Sequence, residues 1–135
     1  MEMIENTALK DASPSLSAAS VAALLHRQAQ QTPQATAIIA PHRSPLTYSG
    51  LYEQAAVVVS KLNAMGLGRN DRIAMLLPNG PDLTVAFLAV AAGATCAPLN
   101  PAYREAELDF YLSDLNARAL IVQSQDDSPA VRVVG

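Results

Sequence analysis

Leu77-Pro78-Asn79-Gly80-Pro81-Asp82, an almost wholly apolar run to Ala92, and then Gly93-Ala94-Thr95-Cys96-Ala97-Pro98-Leu99-Asn100-Pro101 make up the stretch whose reading decides the fold. The pattern is strand, turn, buried helix, tight turn, strand. Two strands joined by a crossover helix run parallel, and their carboxyl ends, at Pro78-Asn79 and Leu99-Asn100-Pro101, open into loops where parallel sheets usually take their ligands.

Outward from this unit the alternation continues. Residues 72–77 (Arg72-Ile73-Ala74-Met75-Leu76-Leu77) form a continuous apolar run of strand length, which is the pattern of a strand covered on both faces. Residues 104–116 read as a helix with an inner stripe of Leu108, Tyr111, Leu112 and Leu115, and residues 119–123 as a further strand. On the amino-terminal side, Ser20 caps a helix that turns Val21, Leu24, Leu25 and Gln28 to one face and stops at Thr32-Pro33, because a residue before proline is driven from helical dihedrals. A short strand at residues 37–40, a proline-bounded turn at 41–45 and a brief strand at 46–48 make a hairpin. Residues 49–65 follow as a helix with Leu51, Ala55, Val58, Leu62 and Met65 at helical spacing, closed by Gly66 as a left-handed residue. The fold class expected is α/β: a partial doubly wound, mainly parallel sheet flanked by helices.

Composition narrows the function. The chain has 135 residues, 50% of them hydrophobic, which is enough apolar material for one modest core. Its formal charge is -3 with a pI near 5.2, and its nine Lys and Arg residues never cluster, which argues against a nucleic-acid partner. Residues 1–19 lack period and contain Pro14; they read as a flexible leader, neither a secretory signal nor an Arg-rich transit peptide. The run from Leu83 to Ala92 is too short to span a bilayer, and a soluble, reducing, cytoplasmic setting is expected. Residues 124–135 read as a polar tail or the start of a further unit.

Several residue types that can carry chemistry have plainer readings. Cys96 is a buried small side chain in a strand. His26 and His42 read as surface histidines, without a Cys or Asp at ligand spacing. Glu105, Glu107, Asp109 and Asp114 form the solvated side of an amphipathic helix. Gly66-Leu67-Gly68 follows a helix and precedes a strand, the reverse of the order a dinucleotide loop requires. Tyr103 and Arg104 sit at the carboxyl end of a strand, where Arg104 could meet an anion or simply join the first turn of the next helix.

Thr47-Tyr48-Ser49-Gly50-Leu51 resembles the Thr-Tyr-x-Glu-Leu element of the acyl-adenylate-forming (AMP-binding) ligases, with Gly50 in place of Glu. In physical terms that element is a capping box, here with its cap retained and its reciprocal bond lost. Gly66-Leu67-Gly68-Arg69-Asn70-Asp71-Arg72-Ile73-Ala74 is similar to the family's turn into a strand, with Asn70 where Gly is usual; Asn tolerates the left-handed backbone the turn is expected to use. Leu77-Pro78-Asn79, the segment from Gly93 to Pro101, Glu107-Leu108 and Leu112-Ser113-Asp114 complete the resemblance, and the wording Pro98-Leu99-Asn100-Pro101 is nearest to CoA ligases of the 4-coumarate, oxalate and fatty-acid type.

The resemblance implies that residues 20–123 are the start of the large N-terminal domain of such a ligase. In a complete enzyme of this kind a carboxylate attacks the α-phosphate of ATP, with Mg²⁺, and CoA thiol then displaces AMP. The family's Ser/Thr/Gly-rich phosphate loop ending in Pro-Lys-Gly, its Tyr-Gly-x-Thr-Glu element and its catalytic lysine have no counterpart in these residues, where Lys10 and Lys61 are the only lysines. No catalytic, cofactor-binding or metal-binding residue is therefore carried over, and no cofactor is expected for this chain alone. The alternative is a non-catalytic interaction module, because Leu83, Val85, Ala86, Phe87, Leu88, Val90 and Ala91 leave one helix apolar almost all round. Such a surface would favour self-association or a partner chain.

Overall fold

The computed structural model describes residues 20–123. The flexible leader expected at residues 1–19 and the tail expected at residues 124–135 lie outside them.

Helix α1 (Val21–Gln31) starts where the Ala23 N–H donates to the Ser20 hydroxyl at 3.1 Å. It buries only Leu25, while Leu24, expected on the inner face, is half exposed. The correction has a geometric cause: α1 leans on the body of the protein along one narrow line, through Val21 and Leu25, so the neighbouring position faces water. Strands β1 (Thr36–Ile38) and β2 (Leu46–Thr47) pair antiparallel, Thr36 with Thr47 and Ile38 with Leu46. The hairpin is thus present, but its first strand ends at Ile38. Ile39 lies beyond the last pair and is 79% exposed, and the chain turns back through His42 at a left-handed φ of 59°.

Helix α2 (Tyr48–Ala64) is capped by Thr47, whose hydroxyl accepts from the Gly50 N–H at 3.1 Å. It buries Leu51, Ala55 and Leu62. Met65, expected to extend that stripe, is the C-cap and is exposed. The stripe is taken over by Leu67, because Gly66 at φ 76° reverses the chain and lets the Leu67 N–H donate to the Leu62 carbonyl at 2.9 Å. The turn that follows keeps its place without a left-handed residue at Asn70, a further correction: only His42 and Asn116 adopt positive φ among the described non-glycine residues. Asp71 closes the turn instead, accepting from the Gly68 N–H through its carboxylate at 2.8 Å while its own N–H donates to the Gly68 carbonyl at 3.0 Å.

Strand β3 (Arg72–Leu76), helix α3 (Pro81–Ala91), strand β4 (Thr95–Pro98), helix α4 (Glu105–Asp114) and strand β5 (Ala119–Val122) complete the described chain. The three strands make a parallel sheet in the order β4-β3-β5, so the β4-to-β5 connection passes over the central strand. Side chains alternate across it with the period of two that strand geometry dictates. Ile73, Met75, Cys96, Ala119 and Ile121 pack with Leu62, Leu67, Val90, Leu83 and Ala86 on the side of α2 and α3. Leu76, Leu120 and Val122 pack with Leu108, Leu99 and Tyr103 on the side of α4. β3 is therefore buried on both faces, Ile73, Ala74 and Met75 being inaccessible to solvent, and the doubly wound α/β class is observed.

Helix α3 finds the two-sided cover its composition demands, between α2 and the sheet, with α1 at its margin. Phe87 remains 41% exposed. At the carboxyl end of α3 a β-carbon on Gly93 would lie 2.8 Å from Val59 Cγ2, so glycine is needed there for close approach. Helix α4 buries Leu108 completely, but Tyr111, expected on its inner stripe, lies on the surface and stacks on Tyr103 with centroids 4.9 Å apart. The reason is that, among the described residues, α4 covers its side of the sheet alone, which leaves a narrow buried line. Among the described residues no helix is long and apolar enough to cross a membrane.

Candidate functional site

The parallel pairing of β3 with β4 places the loops after both strands at one edge of the sheet, and the Leu99 N–H extends the ladder by donating to the Met75 carbonyl at 2.9 Å. From β3 the chain enters α3 on one face; from β4 it enters α4 on the opposite face. The two loops diverge, and the crevice between them is the position at which doubly wound sheets admit a ligand.

The loop after β3 is Leu77-Pro78-Asn79-Gly80. Gly80 adopts φ 153°, which a residue with a β-carbon avoids, and α3 begins at Pro81 without a side-chain cap. Its first turn is fixed by Thr84, whose N–H and hydroxyl both donate to the Gly80 carbonyl at 3.2 Å. Asp82 adds a negative charge at the positive end of the helix and is held by the Arg43 guanidinium in two hydrogen bonds of 2.6 and 3.0 Å. The hydrogen bond from Arg43 keeps the Asp82 carboxyl below the usual carboxylate range, and the same bond raises Arg43. This pair ties the hairpin turn to the amino end of α3 over an open groove floored by Leu46, Val58, Val85 and Ala86.

The loop after β4 is held by Asn100, whose side-chain oxygen accepts from the Ala102 N–H at 2.9 Å and whose carbonyl accepts from the Tyr103 N–H at 3.1 Å. Tyr103 packs against Leu76 and Leu108, and the neighbouring Tyr111 hydroxyl raises its phenol above the ordinary value. Arg104 is the residue before α4; its N–H donates to the Glu107 carboxylate at 2.8 Å, half of a capping box, and its side chain is exposed.

Such an edge can orient a ligand. His26 lies against Tyr52 with centroids 5.2 Å apart, far along the chain from this edge, and His42 is at the tip of the hairpin. The Cys96 thiol is packed 3.7 Å from the Met75 sulfur, and burial pushes it up to about 11, which disfavours the thiolate that a nucleophile requires. Among the described residues no three His, Cys, Asp or Glu side chains are grouped to hold a metal ion.

Three positioning contacts had no local signal in the sequence. Asp82 is legible as an acid in a first turn, whereas its partner Arg43 is 39 residues away. Arg72 sends its Nε–H to the carbonyl of Leu115, placing a cation at the carboxyl end of α4, and Arg118 lies 3.7 Å from Asp71 beside it. Only the topology brings β3 and α4 together.

Comparison with known proteins agrees with this geometry. Residues 25–134 match the family described as AMP-binding enzyme. The oxalate–CoA ligase of Arabidopsis thaliana is 34% identical over 109 residues, 79% of this chain and 21% of the relative. The medium-chain fatty-acid–CoA ligase of Escherichia coli K12 is 36% identical over 101 residues, 74% of this chain and 18% of the relative. The crystal structure of the N-terminal domain of FACL13 from Mycobacterium tuberculosis superposes with a TM-score of 0.73 at 26% identity, over 86% of this chain and 29% of that one. The chain thus spans about a fifth of the length of these curated relatives.

Proposed function

Because this chain belongs to the AMP-binding enzyme family, we propose that residues 20–123 supply the first part of the large domain of an ATP-dependent acyl-CoA synthetase, shaping the sheet on which carboxylate adenylation and thioester formation with CoA take place. The observation that carries this is the parallel β3-β4 pair with its two diverging loops, in a chain that superposes on a solved N-terminal domain with a TM-score of 0.73 over 86% of its length. The family match runs on to residue 134, which supports the reading of residues 124–135 as the start of a further unit over that of a polar tail. The wording Pro98-Leu99-Asn100-Pro101 supports CoA as the acceptor.

The described residues do not themselves fit ATP and Mg²⁺. Neither a metal-holding group nor a lysine lies at the ligand edge, Lys61 being in the last turn of α2. No step of adenylation is assigned to them, and the 135-residue chain is inactive on this reading. Incubation with ATP, Mg²⁺ and a panel of carboxylates tests it: no pyrophosphate release is expected, and release at enzyme-like rates would overturn it. A cytoplasmic setting accords with the unpaired Cys96 thiol.

A second reading, association with itself or with a partner chain, is favoured by the exposure of Phe110 at 62% and Phe87 at 41%. Sedimentation velocity over a range of concentrations decides it, since a single concentration-independent monomer removes self-association.

A further inference from the structure

We infer that Asn79-Gly80 is a site of spontaneous covalent modification, at which the Asn79 carboxamide is lost as ammonia by way of a succinimide. The inference stands on chain chemistry and geometry and does not depend on the family reading. Asparagine cyclises when the backbone nitrogen of the next residue reaches the side-chain carbonyl, so the following residue and the freedom of its N–H decide which asparagine reacts.

The chain has six asparagines, and Asn79 alone precedes a glycine. The others within the described residues are protected, each in an identifiable way. Asn63 is followed by Ala64, whose N–H lies inside α2. Asn70 is followed by Asp71, whose N–H donates to the Gly68 carbonyl at 3.0 Å. Asn116 is followed by Ala117, whose N–H donates to the Leu112 carbonyl at 3.1 Å. Asn100 is followed by Pro101, which has no N–H to lose. Gly80 differs from all of these: among the described residues its N–H donates no hydrogen bond and the Asn79 carboxamide makes none. Both residues are exposed, and the space where a Gly80 β-carbon would stand is open to 4 Å.

The backbone also explains why this dipeptide is difficult to avoid. At φ 153° position 80 calls for glycine, so the fold itself sets the least hindered nucleophile beside Asn79. In the reaction the deprotonated Gly80 nitrogen bonds to Asn79 Cγ, the Cγ–Nδ2 bond breaks, and nitrogen departs as ammonia after taking up a proton. Water then opens the ring at either carbonyl, giving aspartate or, with the main chain rerouted through the β-carbon, isoaspartate. Both products carry one added negative charge immediately before the amino end of α3, at the ligand edge of the sheet, and isoaspartate lengthens that loop by one backbone atom.

The test is incubation of the 135-residue chain at mildly alkaline pH, followed by proteolytic peptide mapping with mass detection and enzymatic methylation of isoaspartate. Because glycine offers no steric hindrance to the attacking nitrogen, the peptide containing Asn79 is expected to convert at least about tenfold faster than those containing Asn63, Asn70 or Asn116. The Asn79→Gln chain, altered at an exposed loop position, is expected to lose most of the isoaspartate signal. Conversion of another asparagine at an equal or greater rate, or an unchanged signal in Asn79→Gln, would overturn the inference. Should that variant fail to fold, the peptide map of the unaltered chain decides alone.

Discussion

Gly50 occupies the third position of α2, where a glycine costs about 1 kcal/mol relative to alanine and where a glutamate could return a hydrogen bond to the cap. A β-carbon there lies 2.9 Å from Leu46 Cδ1, the end of a side chain that a change of rotamer moves, and at an ordinary 3.4 Å from Thr47 Oγ1. Gly50→Ala is therefore expected to raise stability by up to about 1 kcal/mol, and Gly50→Glu to exceed it, as measured by urea denaturation. If Glu does no better than Ala, the reciprocal cap contributes nothing. Cys96 makes a second residue-scale prediction. Its thiol is raised by burial to about 11 from an unperturbed 9.0, so above pH 9 the unfolded chain releases a proton that the folded chain retains. Stability is expected to fall as pH rises from 9 to 11, less steeply in Cys96→Ala, and alkylation by iodoacetamide at neutral pH is expected to wait on unfolding.

Elements are placed by contacts of two kinds, close apolar approach and charge at helix ends. Gly93 lets the end of α3 meet Val59 of α2, and Gly93→Ala is expected to cost about 1–3 kcal/mol by overpacking. The same change in a Val59→Ala background is expected to cost less, since the clashing methyl groups are gone; equal costs in both backgrounds would assign the effect to backbone conformation instead. The Arg43–Asp82 pair, by contrast, has both side chains more than half exposed, and its value for stability is expected to be small and to shrink with salt. Its clear readout is titration. Asp82 is held below the usual carboxylate range by its hydrogen bond with Arg43, so the pair persists above that range and is lost as pH falls through the lowered value. Carboxyl NMR is expected to show Asp82 as a low outlier in the unaltered chain and as an ordinary carboxylate in Arg43→Ala.

At the scale of the whole molecule, β3 is the common wall of two cores. Ile73 and Met75 look toward α2 and α3, while Leu76 looks toward α4. Ile73 is inaccessible to solvent, and Ile73→Ala is expected to cost about 2–5 kcal/mol, enough to unfold both layers together in a thermal or urea transition followed by two probes. Separate transitions would show that the layers fold independently. Met75→Leu, which nearly conserves volume, is expected to cost under about 1.5 kcal/mol.

Much of this protein was determined by sequence alone because local physics leaves few choices. An apolar run of strand length between turn residues fits a covered strand, Ser20 and Thr47 announce helices through their hydroxyls, and Gly66 announces an end through its backbone freedom. Alternation of these units then selects a parallel, doubly wound sheet. What tertiary structure alone decided is how wide each buried face is and which distant groups meet. Leu24, Met65 and Tyr111 have the right period to be inside and are outside, because α1 and α4 each bury only a narrow line and the reversal at Gly66 hands the α2 stripe to Leu67. Arg43 finds Asp82, and Arg72 finds the Leu115 carbonyl, across stretches of sequence that carry no sign of the pairing. Period and propensity act over a few residues, whereas burial and charge pairing depend on what the rest of the chain brings alongside.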